Sequence, residues 1–139
     1  MTERKRMLVL CTGNRCRSQM AEGWLRHFAN DQAEVCSAGT VPKGLHAKAV
    51  EVMAETGVDI SRQTSDHVDK YLDQRFDLVI TVCNNAKEAC PIFPHAGQVI
   101  HHSFDDPDVP GLSPNDQDVL FRRVRDEIRG WAKQLINSL

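Results

Sequence analysis

A short apolar run that leads directly into a polar loop and then a helical pattern is the strongest constraint on the fold. The run Met7–Leu10 shows no polar alternation, which is typical of a strand buried on both faces of a parallel sheet. The loop spans residues 11–18, and apolar side chains recur at helical spacing from Ser18 to about Asn30. A strand, a loop and a helix in this order predict an α/β protein.

The same alternation continues to the end of the chain. Further strands are predicted at 33–38, 76–82 and 98–102, and helices at 46–56, in a brief segment capped by Ser65, in a turn or two within 84–89, and at 114–137. Ser113, Pro114 and Asp116 fit the N-cap, N1 and N3 positions of the last helix. We therefore predict one domain over residues 1–139, a three-layer α/β sandwich with a central four-stranded parallel sheet flanked by helices.

Composition and charge argue against several classes of partner. The formal net charge of the 139 residues is -2, which offers no electrostatic basis for binding nucleic acid or an anionic membrane. The apolar run before Cys11 is too short for a secretory signal or a membrane span. We expect a monomeric cytoplasmic protein.

Five cysteines are many for a chain of this length. Their odd number and the absence of a signal peptide disfavour a structural disulfide framework, which leaves catalytic, redox or metal chemistry, or ordinary buried thiols. The spacing of Cys83 and Cys90 matches no common zinc pattern. Cys16 is interpreted as a structural thiol and Cys36 as a core residue, and no tightly bound cofactor is expected.

The polar loop combines a cysteine with an arginine six positions later, immediately before a helix. Backbone N–H groups and the positive end of the helix dipole would converge there on one spot, and the Arg17 guanidinium can bind an oxyanion with two hydrogen bonds. The same field favours the thiolate form of Cys11, which is the nucleophilic form. Because active sites of parallel sheets lie beyond the carboxyl ends of the strands, Cys83 and Asp106 are expected at the same edge.

The loop Cys11…Arg17-Ser18 is a C-x5-R-S sequence that resembles that of the low-molecular-weight protein tyrosine phosphatases. The longer stretch 11–23, Cys-Thr-Gly-Asn-x-Cys-Arg-Ser-Gln-Met-Ala-Glu-Gly, is more similar to the thioredoxin-coupled arsenate reductases built on the same fold. Segments 81–83 with 90–91, 104–107 and 57–61 agree with the resemblance. Arg15 departs from it, because many relatives have a small polar residue there; this cation either tightens anion binding or points to solvent.

The resemblance implies a role for each residue of the site. Arsenate would bind in the loop, the Cys11 thiolate would attack arsenic, Arg17 would stabilise the charge, Ser18 would favour the thiolate, and Asp106 would protonate the leaving oxygen. Asp106 has a plainer alternative, an Asx turn before a proline. The oxyanion-binding residues implied are Thr12, Gly13, Asn14, Arg15, Cys16, Arg17 and Ser18.

Two later cysteines distinguish an arsenate reductase from a phosphatase, because the steps described so far would be the same in both. In the resemblance, Cys83 attacks Cys11, arsenite leaves, and Cys90 then forms a disulfide with Cys83 that thioredoxin reduces. A continuous helix over 83–90 would hold the two Cα atoms roughly 10.5 Å apart, so this disulfide requires the segment to unwind. The alternatives are a phosphotyrosine phosphatase, a reductase coupled to glutaredoxin and glutathione, and a non-enzymatic redox sensor; residual phosphatase activity is compatible with the first interpretation.

The resemblance also implies a potassium ion near the loop. The side chains at the matching positions all carry oxygen, which a hard cation requires. Their plainer alternatives are a left-handed loop residue, a helix charge, and turn or cap residues. The implied ligands are Asn14, Glu22, Ser37 and Asp66.

Overall fold

The computed structural model describes residues 4–83 and 93–139, and it has an α/β architecture. Its elements in chain order are β1 Lys5–Cys11, α1 Arg17–Ala29, β2 Ala33–Gly39, α2 Ala47–Ala54, β3 Phe76–Thr81, β4 Ala96–His101 and α3 Pro114–Asn137. The four strands form one parallel sheet in the order β2-β1-β3-β4. The predicted fold class is therefore confirmed.

The strand register brings the carboxyl ends of the strands to one edge of the sheet. Cys11 at the end of β1 pairs with Gly39 of β2, and Leu10 pairs with Thr81 of β3, which pairs in turn with His101 of β4. The chain crosses from β1 to β2 on one side and later returns to β3 on the other. Cys11 thus lies where the strand order reverses, the usual place for a binding site in such sheets.

Two apolar clusters cover the two faces of the sheet. The larger packs side chains of all three α-helices against Met7, Val9 and Ile80. The smaller packs Leu8 and Leu10 against a single 3₁₀ turn, Val68–Tyr71, and neighbouring side chains. Alternate residues of β1 face opposite clusters, as the pleat of a strand requires, so the whole of Met7–Leu10 is buried without polar alternation.

Several predicted boundaries differ from the structure. The prediction that Ser65 caps the short helix is wrong: His67 accepts the capping hydrogen bond from the Asp69 N–H, and the Ser65 hydroxyl donates to the Asn14 carbonyl instead. Strand β4 begins two residues before its predicted start. The predicted cap of α3 is confirmed, because the Asp116 N–H donates to Ser113 Oγ over 3.1 Å. The helical turn predicted at 84–89 lies outside the described residues.

Within the described part of the chain, no helix is both long enough and apolar enough to cross a membrane.

Candidate active site

The backbone of the loop after β1 is oriented by a second segment, residues 41–46. The N–H groups of Val41, Lys43 and His46 donate to the carbonyls of Thr12, Gly13 and Arg15 over 2.9 to 3.2 Å. A trans peptide points its N–H opposite to its carbonyl, so the N–H groups that follow these carbonyls point to the other side of the loop. The loop therefore presents donors to the space above Cys11, as an oxyanion site requires.

Cys11 lies at the base of this loop with its side chain only 2% exposed. Its thiol donates to Ser18 Oγ over 2.9 Å, and the Asn14 N–H donates to the sulfur over 3.3 Å. Once the thiol has lost its proton, the Ser18 hydroxyl can turn and donate to the thiolate. The sulfur therefore has two polar neighbours at the base of the loop, the Ser18 hydroxyl and the Asn14 N–H.

Asn14 is a fully buried junction between the loop and its surroundings. Its φ of 45° lies in the left-handed region. This is the backbone conformation that the sequence analysis gave as the alternative to a potassium ligand. Its Nδ2 donates to Ser18 Oγ and to Ser37 Oγ, each over 2.9 Å, and its Oδ1 accepts from the Asp66 N–H over 2.8 Å. The Asn14 side chain thus links the loop to β2 and to the segment that follows α2.

Arg17 and Asp106 meet at the mouth of the loop. The guanidinium of Arg17, at the first position of α1, donates to the Phe104 carbonyl over 3.4 Å and lies 3.7 Å from Asp106 Oδ2. The other carboxylate oxygen of Asp106 accepts from the Asp108 N–H over 3.0 Å. Asp106 therefore forms the Asx turn and also lies beside Arg17; its role as proton donor stays a prediction.

A cavity of about 170 Å³ opens above the loop. Cys11, Arg17 and Asp106 contribute to its wall, and so do two residues that sequence reasoning did not place in the site, Lys43 and Asp108. Arg15 Nε donates to Asp108 Oδ2 over 2.9 Å, and its Nη1 donates to the Lys43 carbonyl over 3.1 Å. Arg15 therefore lies at the cavity wall and binds neighbouring groups of the protein. The remaining residues of the wall are Thr12, Gly13 and Cys16.

His46 is a further residue that sequence reasoning missed. Its Nδ1 accepts the capping hydrogen bond at the start of α2, which leaves the proton of the neutral ring on Nε2, 3.5 Å from Asp108 Oδ1. Burial and the Arg15 charge lower the pKa of His46. The ring also packs against Phe121 of α3. No pattern in the sequence marks His46 or Lys43, since both lie in an irregular segment.

The cysteines differ in state and surroundings. Cys83 is disulfide-bonded and fully buried in the same cluster as Cys11, whereas Cys11, Cys16 and Cys36 are free thiols. Burial, followed by the charges of Asp106 and Asp108, raises the pKa of Cys16, so it remains a neutral thiol beside the cavity. Cys36 is half-buried. The predicted role of Cys90 lies outside the described residues.

The four residues implied as potassium ligands come together on the inner side of the loop. Asn14 donates to Ser37 Oγ, whose hydroxyl donates to Glu22 Oε1 over 2.7 Å, and the Asp66 N–H donates back to Asn14. Glu22 and Asp66 also line a common cavity of about 170 Å³. Two carboxylates, an amide oxygen and a hydroxyl are donor types that suit a hard monovalent cation, so the chemistry of the set fits the ion. The Asn14, Ser37 and Glu22 side chains are hydrogen-bonded to one another in this arrangement.

The surroundings already supply positive charge to this set. Arg26 Nη2 lies 2.7 Å from Glu22 Oε2, and Lys70 Nζ lies 3.5 Å from Asp66 Oδ2. Burial nevertheless raises the pKa of Glu22, so its negative charge is incompletely compensated. Across residues 4–83 and 93–139, no cluster of three or more His, Cys, Asp or Glu side chains is arranged to hold a metal ion.

Comparison with known proteins agrees with this geometry. A curated arsenate reductase from Bacillus subtilis is 44% identical over 136 residues, which is 98% of both chains. An arsenate reductase solved in the phosphate binding state superposes with a TM-score of 0.80 at 29% identity, covering 96% of this chain and 98% of the other.

A thioredoxin-dependent arsenate reductase from Corynebacterium glutamicum superposes with a TM-score of 0.75 at 26% identity, covering 99% of this chain and 62% of that one. Residues 6–139, nearly the whole sequence, match the family described as low molecular weight phosphotyrosine protein phosphatase. The chain belongs to this phosphatase family and is similar, within it, to the arsenate reductases.

Proposed function

We propose that this protein reduces arsenate to arsenite, using Cys11 as the nucleophile and thioredoxin as the final reductant. The observation that carries the proposal is the position of Cys11, with its sulfur under a loop of inward-pointing N–H groups and facing Arg17 and Asp106 across one cavity. The similarity of nearly the whole chain to curated arsenate reductases supports the same activity. We expect a monomer that acts in the cytoplasm.

The first step joins the cysteine to the anion. The Cys11 thiolate attacks arsenic, an S–As bond forms, and one arsenate oxygen leaves as water after proton transfer from Asp106 and solvent. Arg17 and the loop N–H groups stabilise the negative charge that accumulates on the remaining oxygens. Ser18, 2.9 Å from the sulfur, stabilises the thiolate before the attack.

The second step transfers the electrons. The Cys83 thiolate attacks the Cys11 sulfur, an S–S bond forms, and the electron pair of the broken S–As bond passes to arsenic, which leaves as arsenite. Cys90 then attacks Cys83, forms the Cys83–Cys90 disulfide and releases the Cys11 thiolate. A dithiol of thioredoxin reduces that disulfide. This sequence is supported by the burial of Cys83 in the same cluster as Cys11 and by its disulfide-bonded state.

The wall of the cavity favours a small inorganic anion over a phosphotyrosine. None of the described residues that line it is aromatic, and Asp106 and Asp108 place two carboxylates at its mouth. A phosphotyrosine ring would find no apolar platform among these side chains, whereas a tetrahedral oxyanion needs only donors and a nucleophile. Hydrolysis of an aryl phosphate is therefore expected as a slow side activity.

A potassium ion would be held by Asn14, Glu22, Ser37 and Asp66, behind the loop. Its charge would offset the buried carboxylate of Glu22 and so stabilise the loop's support. Replacing NaCl by KCl at constant ionic strength should raise the urea midpoint of the wild type and leave that of Glu22→Gln unchanged. Equal midpoints of the wild type in the two salts would eliminate the site.

The activity is tested by arsenate-dependent NADPH oxidation in the presence of thioredoxin and its reductase. Cys83→Ser and Cys90→Ser should each abolish turnover and keep slow hydrolysis of an aryl phosphate, because the oxyanion loop is intact. Cys36→Ser is the matched control, since Cys36 is a free thiol outside the cavity above Cys11; its turnover should equal that of the wild type.

Three outcomes would each contradict a different part of the proposal: the cysteine relay, the reductant or the reaction itself. Turnover by Cys83→Ser at the wild-type rate would refute the relay. Activity with glutaredoxin and glutathione in place of thioredoxin would change the reductant. A wild type that ignores arsenate and hydrolyses phosphotyrosine rapidly would assign the protein to the phosphatases.

A further inference from the structure

The segment that carries Asp106 has little regular structure of its own and is held by contacts with other elements. Phe104 is buried and packs edge to face against Trp131 of α3, and Asp105 pairs with Arg123 over 3.0 Å. These contacts anchor the beginning of the segment. Both residues precede Asp106, so the part of the segment that follows Asp106 must be held by another contact.

Asp108 supplies that contact with both its side chain and its backbone. Its Oδ2 accepts from Arg15 Nε over 2.9 Å, and its Oδ1 lies 3.5 Å from His46 Nε2. Its own N–H donates to the Asp106 carboxylate over 3.0 Å. One residue therefore joins the anion-binding loop, the start of α2 and the carboxylate that faces the cavity.

We propose that Asp108 is a positioning residue that docks the Asp106 segment onto the anion-binding loop through Arg15. The ion pair fixes the distance between the two loops, and the Asp108 N–H fixes the orientation of the Asp106 carboxyl. Displacement of a catalytic group by about 1 Å can cost as much as a hundredfold in rate, so a contact of this kind is felt in turnover. The inference rests on the proposed function, because it takes Asp106 as the proton donor.

A purely electrostatic role of Asp108 makes the opposite prediction for binding. If Arg15 contacted the anion and Asp108 merely reduced its charge, Asp108→Asn would tighten the binding of inorganic phosphate. If Asp108 is a positioning residue, Asp108→Asn should lower kcat. Phosphate binding should be nearly unchanged in this variant, because the N–H groups, Arg17 and Arg15 remain. The split between affinity and turnover therefore separates the two roles.

The test is a double-mutant cycle of Arg15→Gln and Asp108→Asn. Each single variant should lower kcat for arsenate about tenfold, a part of the general-acid effect, and Asp108→Asn should keep the dissociation constant of inorganic phosphate within about twofold of wild type. The double variant should be no worse than either single one. Asp126→Asn is the matched control, because it breaks an aspartate–arginine pair of α3, with Arg125, that lies outside the cavity and outside the Asp106 segment, and it should keep the wild-type kcat.

Wild-type kcat in Asp108→Asn, additive losses in the double variant, or an effect confined to phosphate affinity would each overturn the inference. Should Asp108→Asn fail to fold, Arg15→Gln breaks the same ion pair from the other loop and decides the question alone. Asp106→Asn tests the proton donor separately: full turnover there refutes the proposed role of Asp106. If the wild type does not reduce arsenate, the same cycle is measured on aryl phosphate hydrolysis, which uses the same loops.

Discussion

The strongest structural prediction concerns the side chain of Asn14, and a second asparagine provides its control. Asn14 and Asn30 have nearly the same left-handed backbone, with φ of 45° and 44°. Asn14 is fully buried, whereas Asn30 ends α1 with an exposed side chain. Glycine tolerates this backbone at both positions, so replacing each asparagine by glycine isolates the contribution of the side-chain hydrogen bonds.

The structure gives the expected magnitude. The Asn14 side chain makes three hydrogen bonds of 2.8 to 2.9 Å, to Ser18, Ser37 and the Asp66 N–H. At about 1 kcal/mol net each, Asn14→Gly should lower the free energy of unfolding by about 3 kcal/mol, and Asn30→Gly by less than about 0.5 kcal/mol. Alanine should cost about 1 kcal/mol more than glycine at both positions, because it disfavours the left-handed backbone.

The measurement is urea unfolding followed by far-UV circular dichroism. A loss of about 3 kcal/mol corresponds to a midpoint shift of about 1 to 3 M at the usual denaturant slopes. Because Asn14 also holds the loop, Asn14→Gly should weaken the binding of inorganic phosphate, which Asn30→Gly should not. Equal midpoints for the two glycine variants would refute the assignment of Asn14 as the junction that supports the loop.

Two further predictions concern packing and pH. An alanine at Gly39 would place its Cβ against the Thr12 carbonyl oxygen, so Gly39→Ala should lose about 1 to 3 kcal/mol of stability and weaken phosphate binding. Gly130 of α3 has open space around it, so Gly130→Ala should gain about 0.5 to 1 kcal/mol of stability. A Gly39→Ala variant more stable than Gly130→Ala would contradict this packing. The pKa of His46 is lowered in the folded protein, so the stability it contributes is complete above about pH 6.5 and is lost as the pH falls through the lowered value. His46→Asn keeps an N-cap residue and should flatten the urea midpoints between pH 7 and 5, whereas an unchanged slope would show that His46 is not responsible.

Much of the fold and the centre of the site follow from short-range patterns in the sequence. The unbroken run Met7–Leu10 predicts a strand buried on both faces, and the cap at Ser113 places the start of α3 to the residue. Cys11 ends β1 and Arg17 begins α1, so the positions of both residues follow from elements that the sequence predicts. Parallel strands have their carboxyl ends at one edge, so the approach of Asp106 to the loop is predictable as well.

The surroundings of the loop depend on residues far apart in the chain. Arg15 and Asp108 are separated by 93 positions, and the segment 41–46 contacts the loop through backbone groups whose side chains have no shared pattern. Ser65, a cap by local preference, instead donates to the Asn14 carbonyl, which lies 51 positions earlier in the chain and also accepts from Gln19 Nε2. The sequence alone thus predicts which elements form and where the nucleophile lies. The orientation of the loop, the ion pair of Arg15 and the environment of His46 arise only in the folded chain, because they depend on distances that no local propensity encodes.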